Sequence, residues 1–308
     1  MRYSVFLLLV GALTCVLFTP LAIRSAHVLG AVDLPDGKRH LHPLPTPRLG
    51  GLALAVSSVL LTLAFVPLDV TVAAWLSGGA LLAALGVTDD LYSLRPLLKL
   101  SAMLAICALP AAFSLAPDAI SFGGRAFALP PFVGNLLSLL WTLLLVNAFN
   151  LIDGLDGLCP ILALVGTLAL FLAGGHAVSL LLFGAIFGFL PYNLPLRTPF
   201  WQKGRTKTRS FLGDTGALFL GYSLAVLSLE EAVFPVTVPL FFALPIFDLG
   251  RVFFLRLSHG KNPFRADRTH LHHLLAARGF STGEILILST LYALLFASLG
   301  LLLRMLAG

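Results

Sequence analysis

The 308-residue sequence predicts an all-α polytopic membrane protein, a bundle of about ten transmembrane helices with a small outer β-hairpin. Three observations support this prediction. Hydrophobic residues make up 58% of the chain, charged residues 11%, and the mean hydropathy is +0.97, whereas a soluble domain carries about 25% charged residues. Apolar segments of membrane-spanning length recur along the chain. Residues 120–129 place a Gly-Gly pair between apolar residues, which is typical of a hairpin.

Ten apolar segments account for the predicted helices, because a hydrocarbon core about 30 Å thick needs roughly 20 apolar residues per helix. The first segment is expected to stay uncleaved, since Pro20 and Arg24 follow it without a convincing cleavage site. Several segments are short, so the number is ten or eleven. Residues 1–308 are expected to form a single transmembrane domain. The segments are residues 3–22, 49–67, 70–87, 98–117, 130–149, 158–174, 177–195, 211–229, 232–255 and 284–306.

Basic residues predict the orientation of this bundle. Most of the 20 lysines and arginines lie in or beside the loops that follow odd-numbered helices, and only Arg2, Arg125 and Arg304 fall on the other side. Positive charge marks cytoplasmic loops. We therefore expect these loops in the cytoplasm and both termini outside, although the loop after the fifth helix has no basic residue and its side follows from alternation alone.

The three cysteines are expected to be packing residues. Cys15, Cys107 and Cys159 lie in or beside apolar runs and show no metal-ligand spacing. They therefore indicate neither a disulfide nor a zinc site.

Residues 147–158, N-A-F-N-L-I-D-G-L-D-G-L, place two amides and two carboxylates directly after an apolar run. Hydrocarbon cannot solvate such groups, so ionisable residues here indicate a functional site. Carboxylate and amide oxygens suit Mg²⁺, which binds few protein ligands besides substrate phosphates. A polar helix cap explains one such residue but not four at intervals of three. The four are Asn147, Asn150, Asp153 and Asp156.

Asp89 and Asp90 are adjacent carboxylates where the third predicted helix leaves the membrane. Neighbouring like charges are unfavourable unless a cation neutralises them. Lys99, a metal or a cationic substrate group would supply that charge. Solvated loop acids are the alternative, and they explain one aspartate better than a pair beside an apolar run.

Asp214 lies between glycines at the start of another predicted helix, in F-L-G-D-T-G-A-L-F-L-G-Y, and a basic run at residues 203–209 precedes it. An aspartate at this position is often a helix cap. Basic residues and backbone N–H groups nearby would equally favour a cation held beside phosphate. The sequence leaves both interpretations open.

A basic, proline-rich segment and a histidine cluster complete the set of motifs. Residues 38–51 contain three prolines, which resist helix formation and present Lys38, Arg39 and Arg48 on a stiff loop. On charge alone, positive-inside bias with a stiff loop is the better interpretation. The spacing of His40, His42 and Arg48 keeps rigid phosphate-binding charges as the alternative. Residues 265–275 carry three histidines in four positions. Such clusters bind transition metals in some proteins, but the absence of cysteine and the density of arginine favour phosphate contacts here.

Together these five stretches resemble the polyprenyl-phosphate N-acetylhexosamine-1-phosphate transferases, of glycosyltransferase family 4 type. The matches run in order from Lys38 to His273, and the blocks N-x-x-N-x-x-D-G-x-D-G and G-D-x-G are highly specific. The H-x-H-H form is closer to the undecaprenyl-phosphate N-acetylglucosamine-1-phosphate transferase branch than to the phospho-muramoyl-pentapeptide translocases, which have three consecutive histidines. The chain departs from the family pattern at Ala217, where a serine is common, and in the basic segment 193–211, so the sugar stays open.

The resemblance implies transfer of a sugar 1-phosphate, with N-acetylglucosamine 1-phosphate as the first expectation, from a UDP-sugar to undecaprenyl phosphate. UMP is released, and the lipid-linked diphosphate starts a cell-surface glycan such as O-antigen or teichoic acid. The implied cofactor is Mg²⁺, which Mn²⁺ can replace. The implied location is the bacterial cytoplasmic (inner) membrane with the active site facing the cytoplasm. Nucleic acid is not an expected partner, and a homodimer is compatible with the resemblance.

The resemblance also implies roles for individual residues. Asp214 is expected to be the principal Mg²⁺ ligand, with Asn150 close by. Asp89 and Asp90 match the family's acidic pair, of which one, by preference Asp89, orients or deprotonates the lipid phosphate.

The other matched residues are expected to contact substrate or cations. Asp153 and Asp156 complete the catalytic set by holding the nucleotide or catalytic cations, and Phe211 stacks on uracil. The remaining substrate-binding candidates are Lys38, Arg48, Lys99, Asn147, Asn193, His270, His272 and His273.

Two other classes of function remain as alternatives. A secondary transporter also carries intramembrane acids, but it places them near the bilayer midplane, often in two similar halves, whereas these motifs lie at one surface and no internal repeat is found. A lipid-binding structural protein explains the basic loops but not the periodic asparagines and aspartates. Within the family, translocase-type activity on a peptidoglycan precursor is the second candidate.

Overall fold

The computed structural model describes residues 2–34, 45–197, 206–207, 209–230, 233–260 and 269–307. Within these ranges the chain is mainly helical, because long apolar runs bury their backbone polar groups most readily as helices in a membrane. The helices of the first half are α1 (Arg2–Leu29), α2 (Gly50–Phe65), α3 (Val70–Tyr92), α4 (Pro96–Cys107), α5 (Leu109–Ala112) and α6 (Pro131–Ile152).

The second half of the chain continues the bundle. Its helices are α7 (Leu158–Gly174), α8 (Ala177–Asn193), α9 (Gly213–Ser228), a 3₁₀ helix (Val238–Phe242), α10 (Ala243–Ser258), α11 (Leu271–Ala277) and α12 (Thr282–Ala307).

Each of the ten predicted apolar segments corresponds to a helix or to a pair of short helices. Five of these are long and apolar enough to cross a membrane: α1, α3, α6, the 3₁₀ helix with α10, and α12. The other apolar helices are shorter, namely α2, α4 with α5, α7 and α8. The protein is therefore a multi-pass membrane protein, and the number of ten crossings stays a prediction.

Two predicted segments are not continuous helices in the structure. The segment 98–117 is divided into α4 and α5, since Pro110 lacks the N–H group that a continuous helix needs. The start of the segment 232–255 is not helical. Residues Val233–Pro235 form strand β7 instead, and the 3₁₀ helix follows with proline in its first turn.

The predicted hairpin is confirmed and is part of a larger sheet. Strands β3 (Ala119–Phe122) and β4 (Arg125–Ala128) pair antiparallel around Gly123 and Gly124, both of which have positive φ. Strand β7 adds to β3 in parallel, with Ala119 opposite Val233. Two further antiparallel pairs are short: β1 (Val32–Asp33) with β2 (Thr46–Pro47), and β5 (Leu196–Arg197) with β6 (Thr206–Lys207).

Helix α9 occupies the centre of the bundle. Every residue from Thr215 to Ser228 is buried, and α2, α3, α6 and α7 pack around it. The approach of α3 is close enough that a Cβ at Gly86 would collide with the backbone of Thr215. The start of α9 is thereby held against the last turns of α3.

The three cysteines are buried and free, as the sequence predicts. Cys15 bonds within its own helix, since the Thr19 side chain lies 3.9 Å from its sulfur. Each cysteine therefore packs inside the bundle, and no disulfide is needed to hold the described helices together.

Candidate active site

The ends of three helices meet at one end of the bundle. Asp89 and Asp90 lie in the last turn of α3, Asn150 lies in the last turn of α6, and Asp214 lies in the first turn of α9. The first turns of α4 bring Lys99 to the same place. The hairpin β3–β4 lies at the opposite ends of these helices, because it connects the end of α5 to the start of α6.

Asp90 caps helix α9 from a neighbouring helix. Its Oδ1 accepts a hydrogen bond from the Asp214 N–H at 3.0 Å, and its Oδ2 accepts bonds from the N–H and the hydroxyl of Thr215 at 3.0 and 2.7 Å. These bonds satisfy N–H groups that have no partner within a helix. The position preceding α9, Leu212, makes no side-chain cap. Asp214 is therefore not needed as a cap, and its carboxylate can contact other groups at the site.

Lys99 lies among three oxygen atoms from three helices. Its ammonium nitrogen is 2.8 Å from Asp89 Oδ2, 3.0 Å from Asp214 Oδ1 and 3.3 Å from Asn150 Oδ1. The Nδ2 group of Asn150 donates to the same oxygen of Asp214. Asp89 also accepts a bond from the Leu94 N–H at 2.6 Å. Lys99, one of the cations that the sequence offers for the acidic pair, thus forms an ion pair with Asp89.

The turn after α6 adds two more carboxylates. Asp153 and Asp156 follow the last helical residue of α6, so they lie on a turn and do not continue the helix face of Asn150. Burial raises the pKa of Asp153 well above its ordinary value, and the negative charges of Asp214, Asp156 and Asp90 raise it further. A site that raises the pKa of a carboxylate in this way favours a bound cation.

The histidine motif reaches this turn. A Cβ at Gly154 would collide with Nε2 of His272, so the ring lies directly over the turn. His272 is 3% exposed, and neither of its ring nitrogens has a hydrogen-bond partner within the described part of the chain. Burial lowers its pKa to about 3, and the charges of His273 and His270 add to that shift. His272 is therefore a neutral ring with unused polar atoms beside the carboxylates.

Asp248 was not anticipated from the sequence, and it anchors the histidine motif. It is 1% exposed and accepts bonds from His270 Nδ1 at 2.8 Å, the Leu271 N–H at 2.9 Å and Arg251 at 2.9 Å. Arg251 also donates to the Thr269 carbonyl. An acid in an apolar run with an arginine three residues later was the available signal. These contacts tie the start of α11 to α10.

The loop before α9 is held by Asn193 and by strand β2. Asn193 accepts a bond from the Gly157 N–H at 2.8 Å and donates to the Ser210 carbonyl at 3.1 Å. Phe211 donates its N–H to the Pro47 carbonyl at 2.8 Å, and its ring is half-buried. Asn193 thus connects the turn after α6 to the approach to α9, with both ends of its amide bound to backbone.

Two predicted substrate-binding residues make contacts away from the Lys99 cluster. Arg48 forms an ion pair with Asp33 of β1, and Asn147 donates to the Leu143 carbonyl of its own helix at 2.8 Å. Lys38 lies outside the described residues. The structure therefore brings together Asp89, Lys99, Asn150, Asp153 and Asp214, with His272 above the adjoining turn.

The oxygen atoms around Lys99 have the chemistry of a divalent-cation site. Two carboxylates and one amide oxygen are hard ligands of the kind that Mg²⁺ prefers. No group of three histidine, cysteine, aspartate or glutamate side chains arranged for a metal occurs within the described ranges. The set at Lys99 includes Asn150, so it combines two acids with an amide, and waters and substrate phosphates would have to complete the coordination of a metal.

These features define a multi-pass membrane protein with a charged, phosphate-compatible site at one end of its helix bundle. The chain belongs to glycosyl transferase family 4, whose sequence pattern matches residues 72–231. The protein is accordingly a transferase. The matched range includes α3, α6 and α9, which supply the carboxylates and the amide around Lys99.

Relatives with similar sequences come from several bacteria. A "Probable undecaprenyl-phosphate N-acetylglucosaminyl 1-phosphate transferase" of Bacillus subtilis is 33% identical over 290 residues, covering 89% of this chain and 77% of the relative. The undecaprenyl-phosphate alpha-N-acetylglucosaminyl 1-phosphate transferase of Escherichia coli K12 is 29% identical over 304 residues, covering 93% of this chain and 80% of the relative. A decaprenyl-phosphate N-acetylglucosaminephosphotransferase of Mycobacterium tuberculosis is 29% identical over 309 residues, covering 86% of this chain and 73% of the relative.

Proposed function

We propose that this protein transfers N-acetylglucosamine 1-phosphate from its UDP-sugar to undecaprenyl phosphate. An oxygen of the lipid phosphate attacks the phosphorus that carries the sugar, the bond to the UMP phosphate breaks, and a lipid-linked diphosphate forms. The names of relatives that share most of the chain support this choice of substrates. The observation that carries it is the cluster of Asp89, Asn150, Asp214 and Lys99 at one end of the bundle.

The chemistry asks the protein mainly for positioning and charge neutralisation. A phosphate monoester has a second pKa near 6, so the lipid phosphate is largely dianionic at neutral pH and needs no strong base. The difficulty is to bring two anions together, and phosphoryl transfer is catalysed largely by electrostatic stabilisation. We therefore assign Asp89 the role of orienting the lipid phosphate, together with Lys99. We assign Asp90 the role of positioning helix α9.

Asp214 and Asn150 would hold Mg²⁺, with Asp89 or Asp153 nearby. A bound Mg²⁺ would neutralise the diphosphate of the sugar nucleotide. The rings of His272 and its neighbours His270 and His273 would donate hydrogen bonds to phosphate oxygens. His270 is held by Asp248 through Nδ1, which leaves Nε2 as the nitrogen for a substrate.

The proposed orientation places this site at the cytoplasmic face of the bacterial inner membrane. The donor is a water-soluble nucleotide sugar of the cytoplasm, whereas the acceptor phosphate lies at the bilayer surface. Most of the basic residues lie in or beside the loops that follow the odd-numbered predicted segments, and Arg95 and Lys99 after the third segment are among them. Both termini would then lie outside.

The direct test uses purified full-length protein in detergent with radiolabelled UDP-N-acetylglucosamine, undecaprenyl phosphate and Mg²⁺. We expect a butanol-extractable labelled lipid and an equal amount of UMP. Asp214→Asn should lower the rate by at least about a hundredfold, which is the scale for loss of one electrostatic stabiliser. Chelation should abolish turnover, and Mg²⁺ or Mn²⁺ should restore it.

The matched control is Asp118→Asn, which removes an exposed acid just before β3 at the opposite end of the bundle. Its rate should stay near that of the unmodified protein. Near-normal turnover of Asp214→Asn would remove the proposed metal role. Product only from UDP-N-acetylmuramoyl-pentapeptide would indicate translocase-type activity, and absence of product from a panel of UDP-sugars would return the transporter to consideration.

A further inference from the structure

The ammonium group of Lys99 is bound as a metal ion would be. Its three neighbours are all oxygens, Asp89 Oδ2 at 2.8 Å, Asp214 Oδ1 at 3.0 Å and Asn150 Oδ1 at 3.3 Å, and they come from α3, α9 and α6. The Lys99 side chain is 15% exposed. The orientation of the Asn150 amide is fixed by this network, because lysine can only donate and an ionised aspartate can only accept.

The same three oxygens are those that a divalent cation would use. Carboxylate and amide oxygens are hard ligands, and Mg²⁺ draws them to within about 2.1 Å. Asp214 Oδ1 already accepts from both Lys99 and Asn150. A metal at this oxygen and an ammonium in its present position would be two cations in contact, which is unfavourable because like charges repel each other. The two occupants are therefore mutually exclusive.

We propose that Lys99 holds the place of a divalent cation in the resting enzyme, and that metal binding displaces its ammonium group toward the substrate phosphates. This inference rests on the proposed function, since it concerns the metal of that reaction. The resting site keeps its acids neutralised in the absence of metal, because unpaired charge at the end of a membrane-spanning helix is costly. The displaced lysine then supplies a positive charge only after the metal has bound.

Selective labelling of the unmodified protein tests the displacement without using activity. Lysines are acylated briefly in detergent with or without Mg²⁺, and mass spectrometry quantifies Lys99 relative to Lys38 and Lys261 as internal references. We expect saturating Mg²⁺ to increase labelling of Lys99 by about tenfold, because the reactive population rises with the fraction of released amine. Labelling that stays constant or falls would overturn the proposal.

Metal affinity provides a second, independent measurement. Mn²⁺ binding, followed by the loss of its free electron-paramagnetic-resonance signal, should be about tenfold tighter for Lys99→Met, since the competing occupant is gone. The control is Arg95→Met, which removes an equal charge from an exposed residue at the start of the same helix. It should change the affinity by less than about twofold. Equal tightening in both variants would indicate general electrostatics and would overturn the competition.

These results separate the inference from the proposed function. Failure of the unmodified protein to bind Mn²⁺ would remove the metal role altogether. Mn²⁺ binding with unchanged Lys99 labelling would leave the metal role in place and refute the displacement alone. The labelling experiment needs no variant, so it stays decisive if Lys99→Met folds poorly.

Discussion

Asp89 and Asp90 are neighbours in the sequence, but their carboxylates face different partners. Asp89 contacts Lys99 at 2.8 Å, while Asp90 binds the backbone at the start of α9. Successive residues on a helix point in directions about a quarter-turn apart, so one can face the site while the other faces the bundle. The sequence identified the pair and favoured Asp89 for the lipid phosphate, but it did not predict that Asp90 caps α9.

Gly154 is predicted to be required for the position of His272. In Gly154→Ala, the new Cβ would collide with Nε2 of His272, so the ring must move away from the turn. We expect turnover to fall by about tenfold or more, since small displacements of positioning groups cost up to a hundredfold. The labelled-lipid assay measures this. Gly283→Ala, where a Cβ meets nothing within 4 Å, should retain its rate, and a normal rate for Gly154→Ala would argue against a role for His272.

The buried carboxyl group of Asp153 should make the stability of the metal-free protein depend on pH. The pKa of Asp153 is raised by burial and then by neighbouring acids. The contribution of Asp153 to the free energy of unfolding is therefore present at low pH and is lost as the pH rises through its folded-state pKa. Asp153→Asn imitates the protonated form. It should melt higher than the unmodified protein at pH 8, by about 2–4 °C per kcal/mol recovered, and the difference should shrink toward pH 5.

Thermal melting in EDTA at a fixed scan rate provides the measurement for Asp153→Asn. Asp118→Asn serves again as the exposed-acid control. A melting difference that is the same at pH 5 and pH 8 would show that the charge of Asp153 is not the cause.

At the scale of elements, the start of α9 is organised by a different helix. Asp90 of α3 receives three hydrogen bonds from Asp214 and Thr215, so the register of α3 against α9 fixes where the carboxylate of Asp214 lies. Helix α11 is organised in the same way by Asp248 of α10. In both cases a buried acid on one helix sets the position of a functional residue on another.

The two acids of α3 are predicted to respond differently to the same substitution. Asp90→Asn places an NH₂ group against donors at the start of α9, so it should cost about 1–2 kcal/mol, as for loss of a helix cap, and lower the melting temperature. Asp89→Asn keeps an acceptor for the Leu94 N–H and should melt closer to the unmodified protein while losing turnover. Thermal melting and the labelled-lipid assay separate these effects, and equal changes in both variants would refute this division.

Much of this arrangement follows from the sequence, and the rest depends on tertiary contacts. Apolar run lengths located the helices, and the Gly-Gly pair located the hairpin, because these are local properties. The order of polar motifs placed Asp89, Asn150 and Asp214 at one end of the bundle. Asp248 was missed because its partners His270 and Leu271 are distant in sequence. The strand at Val233–Pro235 was missed because it pairs with β3, more than a hundred residues away.

For the whole molecule, the orientation in the membrane is open to a direct test. In Arg125→Cys, at an exposed position of β4, the thiol should react with a membrane-impermeant maleimide in intact cells. In Tyr92→Cys, at a position 75% exposed at the end of α3, the thiol should react only after permeabilisation. The native cysteines are buried, so background labelling should be low. The reverse pattern would place the site outside the cell and contradict the proposed substrates.

The enclosure of α9 has a consequence for how the enzyme responds to its surroundings. Because the residues from Thr215 to Ser228 are all covered by neighbouring helices, this short helix makes no acyl-chain contacts and has no hydrophobic length to match. The outer helices α1 and α12 meet the lipid and can tilt as bilayer thickness changes. Helices α3 and α6 carry Asp89 and Asn150 and are themselves long enough to span the membrane. A change in bilayer thickness should therefore reach the site through the packing of these two helices against α9.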